Sequence, residues 1–156
     1  KTRIMIYKSL RVGKGGRLFT CYKFRTMRDE PGPPSTSADD PRITKTGRIL
    51  RKWKIDELPQ LYNVLKRDMN LVGPRPTLFS VIKTLDPYQR EMILSVKPGL
   101  TDLATLWDSH EEERLRGSSD PHKKFIDEIY PEIVTLQMKY VQNRNILLDL
   151  KIIFLD

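Results

Sequence analysis

The sequence is poor in the residues that most metal and redox chemistry requires. One cysteine, Cys21, in 156 residues excludes an internal disulfide. It fits a reducing compartment, and with no histidine near it in sequence it reads as an inert core thiol. The two histidines, His110 and His122, lie in a polar region and show no zinc-ligand spacing with that cysteine, so both read as surface residues. There is no signal-peptide pattern, no internal repeat, and no apolar run of roughly 18 residues such as a membrane-spanning helix needs. Acid is missing from the first 28 residues, which carry nine Lys or Arg.

What is present suits one folded domain with a modest core. Hydrophobic residues make up 38% and charged residues 31%, a balance that excludes wholesale disorder. The net charge of +8 points to an anionic partner: a nucleotide, a nucleic acid or an acidic lipid headgroup.

Residues 3–27 read as a β-hairpin, two β-prone runs around the turn signal VGKGG. Gly13, Gly15 and Gly16 lack the spacing and the following helix of a phosphate-binding loop. Lys23 and Arg25 alternate with Phe24 and so project from one face. Residues 29–40, rich in Pro, Ser and acid, form a loop whose acids could approach a metal.

The stretch from Asp40 to Pro76 carries the chemistry. From Arg42 to Lys54 there are six Lys or Arg and no acid. Thr44 or Thr46 can cap a helix running to about Trp53. Helical spacing puts Ile49, Leu50 and Trp53 on one side, expected to be buried, and Arg48, Arg51 and Lys52 on the other. Arginine suits phosphate because its planar fork donates two parallel hydrogen bonds. The adjacent carboxylates Asp56 and Glu57 follow. Asp56 is the expected N-cap of a helix in which Leu58, Leu61, Tyr62 and Leu65 share a face. A helix start offers free N–H groups and positive dipole character to a phosphate or metal–phosphate complex. In isolation such a pair more often only caps a helix and complements its dipole. Arg75 is bracketed by Pro74 and Pro76, which fix where its guanidinium points.

Beyond this block, residues 77–94 read as two short helices split at Asp86-Pro87, and KPGLT as a turn. Residues 103–107 form a short apolar segment of undetermined type. Residues 109–120 are expected to be a surface loop. A helix begins near Pro121 and is expected to kink or split at Pro131, with Ile126, Ile129, Tyr130, Ile133 and Tyr140 as its core stripe. The apolar tail ILLDLKIIFL is expected to be buried in the domain, with the membrane interface as the alternative.

The run DPRITKTGRILRKWKIDELPQLYNVLKRDMNLVGPRP closely resembles the bacterial sugar transferases, the monotopic polyprenyl-phosphate sugar-1-phosphate transferases or phosphoglycosyl transferases. The likeness extends through RVGKGGRLFTCYKFRTM, KPGLT and YVQNRNILLDLKII, covering nearly the whole chain. Two positions depart from the pattern: Arg67, where glycine is common, and Asp102, where KPGLTG is common. Neither touches the expected chemistry; Asp102 is the one expected to bear on substrate preference.

The resemblance implies an α+β fold, helix-rich with a small N-terminal β-hairpin, over residues 1–156 as one catalytic domain. The family's N-terminal re-entrant membrane helix is absent from this chain, which opens at Lys1, and we expect a fragment or an anchor removed. The implied reaction transfers a sugar-1-phosphate from a UDP-sugar donor to a polyprenyl phosphate acceptor such as undecaprenyl phosphate. Asp56 is implied as the nucleophile, Glu57 as a catalytic residue and ligand of Mg²⁺, and Lys23, Arg48, Arg51 and Arg75 as phosphate or nucleotide binders. Gln60 is expected to be structural. The product is the first lipid-linked intermediate of a surface glycan. The implied setting is monotopic, on the cytoplasmic face of the bacterial inner membrane, in contact with its lipid. Homo-oligomerisation is left open. Two other readings compete: a basic nucleic-acid-binding module, against which the lack of an interleaved aromatic platform argues, and a silent scaffold, against which the intact acid and basic set argues. Nucleic acid is therefore not an expected partner.

Overall fold

The computed structural model describes residues 5–107 and 111–156. His110 therefore lies outside the described residues.

The expected hairpin is present. Strands β1 (Ile6–Val12) and β2 (Leu18–Phe24) pair antiparallel, with Ser9 opposite Cys21 and Tyr7 opposite Lys23. Cys21 is buried, and burial raises its pKa, as expected of an inert thiol. Residues 29–40 contain no helix or strand but are tied down. Asp40 is buried on Arg42 at 2.7 Å, and Asp39 accepts the Gly117 amide at 3.2 Å. Asp39 and Asp40 are thus engaged by residues outside the loop, and these acids do not form a metal cluster with other described residues.

Helix α1 (Lys45–Lys52) starts where a cap was expected: the Thr44 side chain accepts the Gly47 amide at 2.9 Å. Its orientation departs from the expectation at Ile49 and Trp53, while Leu50 is half-buried and Arg48 and Lys52 are exposed as expected. Ile49 and Trp53 are 61% and 69% exposed, while Gly47 is the buried residue of the helix. A Cβ at Gly47 would fall 2.0 Å from the Thr26 carbonyl oxygen, so only glycine allows this approach. Helix α2 (Gln60–Leu65) also turns its shared apolar face outward. Gln60 and Asn63 are buried, and Leu58, Leu61, Tyr62 and Leu65 are all exposed. Buried Asn63 accepts the Tyr22 amide at 3.2 Å and donates to the Thr20 carbonyl at 2.7 Å, locking α2 to β2. Polar contacts with neighbouring backbone, rather than apolar burial, decide which side of each helix faces in.

Two further strands are present, the second in place of the turn expected at KPGLT. β3 (Asn70–Val72) pairs parallel with β4 (Gly99–Thr101). A Cβ at Gly99 would fall 2.1 Å from the Gly73 nitrogen, so the backbones meet only because both residues are glycine. The short helices α3 (Phe79–Ile82) and α4 (Pro87–Leu94) flank the expected break, with Asp86 capping α4 through the Gln89 amide. The undetermined segment is helix α5 (Leu103–Trp107). The expected surface loop after it contains a helical turn, α6 (Glu111–Arg114), and the fully buried Leu115.

Helix α7 (Pro121–Lys124) leads through a π turn at Phe125–Ile129 into α8 (Tyr130–Asn143). The irregularity precedes Pro131, which sits in the first turn of α8 where a missing N–H costs nothing. Ile129, Tyr130 and Ile133 pack with Val81, Ile82 and Ile93 in the main core. Helix α9 (Ile146–Leu155) corrects the expectation of a buried tail. Ile152 is buried in a second cluster with Val72 and Tyr140, but Leu147, Leu155 and Phe154 stand exposed, the last at 84%.

Candidate active site

The two carboxylates do not sit at a helix mouth. They occupy a separate 3-10 turn, Ile55–Glu57, entered through Lys54 in the left-handed region at φ 53°. Helix α2 starts only at Gln60, with Pro59 at its cap position, so Asp56 makes no cap hydrogen bond. The turn lets consecutive side chains diverge into different environments.

Glu57 is saturated with cations. Its Oε1 accepts from Lys23 Nζ at 2.6 Å and from Arg75 Nη2 at 2.5 Å, and its Oε2 faces Arg75 Nη1 at 3.5 Å. Burial opposes the charge, but Arg75 and Lys23 outweigh it and hold the Glu57 pKa at about 2. In return Glu57 holds Arg75 firmly protonated.

Asp56 is the opposite case. It is buried, and no donor among the described residues hydrogen-bonds its carboxylate. Burial pushes its pKa up against the pull of Lys23, and the charge of Glu57 adds to the rise. Two neighbouring carboxylates whose pKa values are driven apart are suited to different roles. Asp56 is a desolvated acceptor with free lone pairs; Glu57 is a fixed anion that gathers cations.

Of the expected binding residues, Lys23 and Arg75 meet at Glu57. Arg51 lies nearby, and its charge acts on Asp56. Its guanidinium is held by Thr26 Oγ1 at 3.0 Å and by Glu112 Oε1 at 2.5 Å. Glu112, 61 residues away in sequence, was beyond local reading. Arg48 is exposed on α1, and the hydrogen bonds and ion pairs of Glu57 among the described residues go to Lys23 and Arg75 instead. Gln60 is buried, as a structural residue would be.

Arg11 was missed. It lies on the hairpin face that carries Lys23, because Tyr7 pairs with Lys23 and positions 7, 9 and 11 share a side. Its Nε donates to Ser9 Oγ at 3.3 Å. Burial lowers its pKa, and the Arg75 charge adds to that. Strand register across VGKGG was the signal that could have found it.

The residues fit Mg²⁺ in a limited form. Mg²⁺ takes one or two carboxylates and fills its octahedron with water and substrate phosphate oxygens. The described residues hold no cluster of three or more His, Cys, Asp or Glu suited to a metal. Asp56 has the free lone pairs; Glu57, the expected ligand, would have its oxygens released only if Lys23 and Arg75 turned to an incoming diphosphate.

All of residues 1–156 match the family model described as bacterial sugar transferase. The chain belongs to the bacterial sugar transferase family. An uncharacterized sugar transferase, EpsL, of Bacillus subtilis (strain 168) is 41% identical over 97% of this chain and 67% of its own length. The undecaprenyl-phosphate galactose phosphotransferase of Salmonella typhimurium is 44% identical over 63% of this chain and 24% of its own. The UDP-N-acetylgalactosamine-undecaprenyl-phosphate N-acetylgalactosaminephosphotransferase of Aeromonas hydrophila is 34% identical over 92% of this chain and 32% of its own. This sugar transferase chain thus spans about two thirds of the first relative and a third or less of the other two.

Proposed function

We propose that this chain is a phosphoglycosyl transferase that moves a sugar-1-phosphate from a UDP-sugar to a polyprenyl phosphate such as undecaprenyl phosphate. The observation that carries the reading is the division between Asp56, buried and without a hydrogen-bond donor among the described residues, and Glu57, locked between Lys23 and Arg75. An Asp carboxylate of raised pKa is a better nucleophile toward phosphorus than a fully ion-paired one.

In the proposed sequence, an Asp56 Oδ attacks the β-phosphorus, which bears the sugar. A new P–O bond forms to Asp56, the bond from that phosphorus to the bridging oxygen breaks, and UMP departs with the bridging oxygen. An oxygen of the lipid phosphate then attacks the same phosphorus. The bond to Asp56 breaks and the carboxylate is regenerated, leaving a polyprenyl-diphosphate sugar. Lys23, Arg75 and Arg51 offset the diphosphate charge, with Arg11 beside them. Glu57 would hold Mg²⁺, which supplies further neutralisation of that charge when bound. The names of the relatives from Salmonella typhimurium and Aeromonas hydrophila support the acceptor class.

The outward-facing apolar residues support a membrane setting. Trp53, Leu61 and Leu65, the last 81% exposed, stand on α1 and α2, and Leu147, Phe154 and Leu155 on α9. Lys54 pairs with Asp156, bringing the end of α9 to the end of α1. No helix among the described residues is long and apolar enough to cross a membrane. The charge of +8 would favour an acidic leaflet. We therefore read the protein as monotopic, with its active site on the cytoplasmic face of the bacterial inner membrane, where both substrates meet at the start of a glycan.

The test is product analysis. The protein, reconstituted with lipid, Mg²⁺, undecaprenyl phosphate and a panel of UDP-sugars, is expected to release UMP in step with a lipid-diphosphate sugar. Release of UDP would mean that the sugar alone is transferred and would overturn the reading.

A further inference from the structure

Arg75 grips Glu57 from a loop whose carbonyls are held, Pro74 O by the Gly99 amide and Thr77 O by the Val12 amide, each at 3.0 Å, but which is poor in backbone donors. Pro74 and Pro76 have no N–H, so the Arg75 amide is the single backbone donor between Gly73 and Thr77. That amide donates to Asp102 Oδ2 at 3.1 Å. The same oxygen accepts from Gln137 Nε2, on α8, at 3.0 Å. The other carboxylate oxygen accepts the Thr105 amide at 2.7 Å and the Thr105 hydroxyl at 2.8 Å, the pattern of an N-cap at the start of α5. Asp102 and Gln137 are both about fully buried, at 1% exposure. One carboxylate therefore ties the proline-bracketed loop to two helices, immediately after the strand β4 that supports that loop.

We infer that Asp102 is a positioning residue: it fixes the Arg75 peptide, and through it the guanidinium that meets Glu57 and the donor diphosphate. The inference rests on the function proposed above for its kinetic consequence, but its structural content stands apart from that function. Neutral capping of α5 alone would need only Oδ1. The second oxygen is committed to Arg75 and Gln137, and a buried anion draws both donors more strongly than a neutral oxygen would. Asp102 also adds to the charge that keeps Arg75 protonated.

The variant Asp102→Asn separates the two jobs. Its carbonyl oxygen can keep the Thr105 cap. Its amide can donate to Gln137 once that side chain flips, since Gln137 Oε1 has no hydrogen-bond partner among the described residues. The Arg75 N–H alone then faces a donor. Hydrogen exchange read by mass spectrometry resolves this amide readily, because prolines flank it. We expect Arg75 exchange to rise about 10-fold or more in Asp102→Asn while the Thr105 amide stays protected. We expect the KM for the UDP-sugar to rise about 10-fold with kcat changed less than about threefold. Gln137→Met should leave the Arg75 amide protected.

Unchanged Arg75 exchange in Asp102→Asn would overturn the inference, and so would equal loss of protection at Arg75 and Thr105. If Asp102→Asn does not fold, wild-type exchange decides: a protected Arg75 amide supports the anchor and an unprotected one refutes it. Protection that behaves as expected with no turnover of any UDP-sugar would leave the anchor standing and remove the proposed function instead.

Discussion

Lys23 Nζ lies 2.6 Å from Glu57 Oε1, joining the β-hairpin to the acid turn across 34 residues of sequence. The contact fixes more than geometry. Lys23 is the main group opposing the rise in the Asp56 pKa. Removing its charge should move Asp56 further up. In Lys23→Met the acid limb of the pH dependence of kcat/KM for the UDP-sugar should therefore shift to higher pH, with kcat/KM down about 10- to 100-fold at neutral pH. A limb that stays in place would separate Lys23 from Asp56.

Asp56→Asn should abolish turnover, by about 10³-fold or more, and yet stabilise the fold. The folded-state pKa of Asp56 is raised above its unfolded value, so its ionised form at neutral pH costs stability, and that cost fades on acidification. Asparagine removes the buried charge. Thermal melting at pH 7 should give a Tm at or above the wild type, and a lower Tm would contradict a desolvated carboxylate.

Glu57 behaves in the other direction. Its pKa falls from 4.5 to about 2 on folding. Its contribution is complete above pH 4.5 and is lost as pH falls through about 2. With Arg75 42% exposed, solvent screening reduces the worth of the cluster to about 2–3 kcal/mol. Urea melts of wild type and Glu57→Gln between pH 6 and pH 2, a window of about four units, should converge toward the acid end. A gap that stays constant with pH would show that the ion pairs contribute nothing.

The exposed apolar side chains of α1, α2 and α9 should bind anionic vesicles. The double variant Leu65→Glu, Phe154→Glu places charge on positions 81% and 84% exposed, so the melting temperature should hold. Vesicle affinity should fall about 10-fold or more in a flotation assay. Equal binding by the variant would remove this surface from the membrane account.

Much of the candidate site's geometry was legible in the sequence. Lys23, Asp56, Glu57 and Arg75 do converge, and the hairpin and the Thr44 cap stand where local patterns put them. The facing of α1 and α2 was not legible. Periodicity identifies an apolar side but assumes that it turns toward the core. Here Asn63 and Arg51 form polar contacts with the hairpin and Thr26 that turn it outward. Nor could Asp56 be separated from a helix cap, because the left-handed Lys54 and the interposed 3-10 turn have no strong residue signature. The parallel β3–β4 pair depends on the contact of Gly73 with Gly99, 26 residues apart, which no short-range pattern encodes.

The most direct measurement is the intact mass of the lipid-reconstituted protein after incubation with Mg²⁺ and a panel of UDP-sugars, without acceptor lipid. The account predicts a gain of one sugar phosphate on Asp56, absent in Asp56→Asn and discharged by adding undecaprenyl phosphate. No adduct with any donor, alongside UMP release that requires the lipid, would contradict the covalent mechanism and make Asp56 a base or a metal ligand.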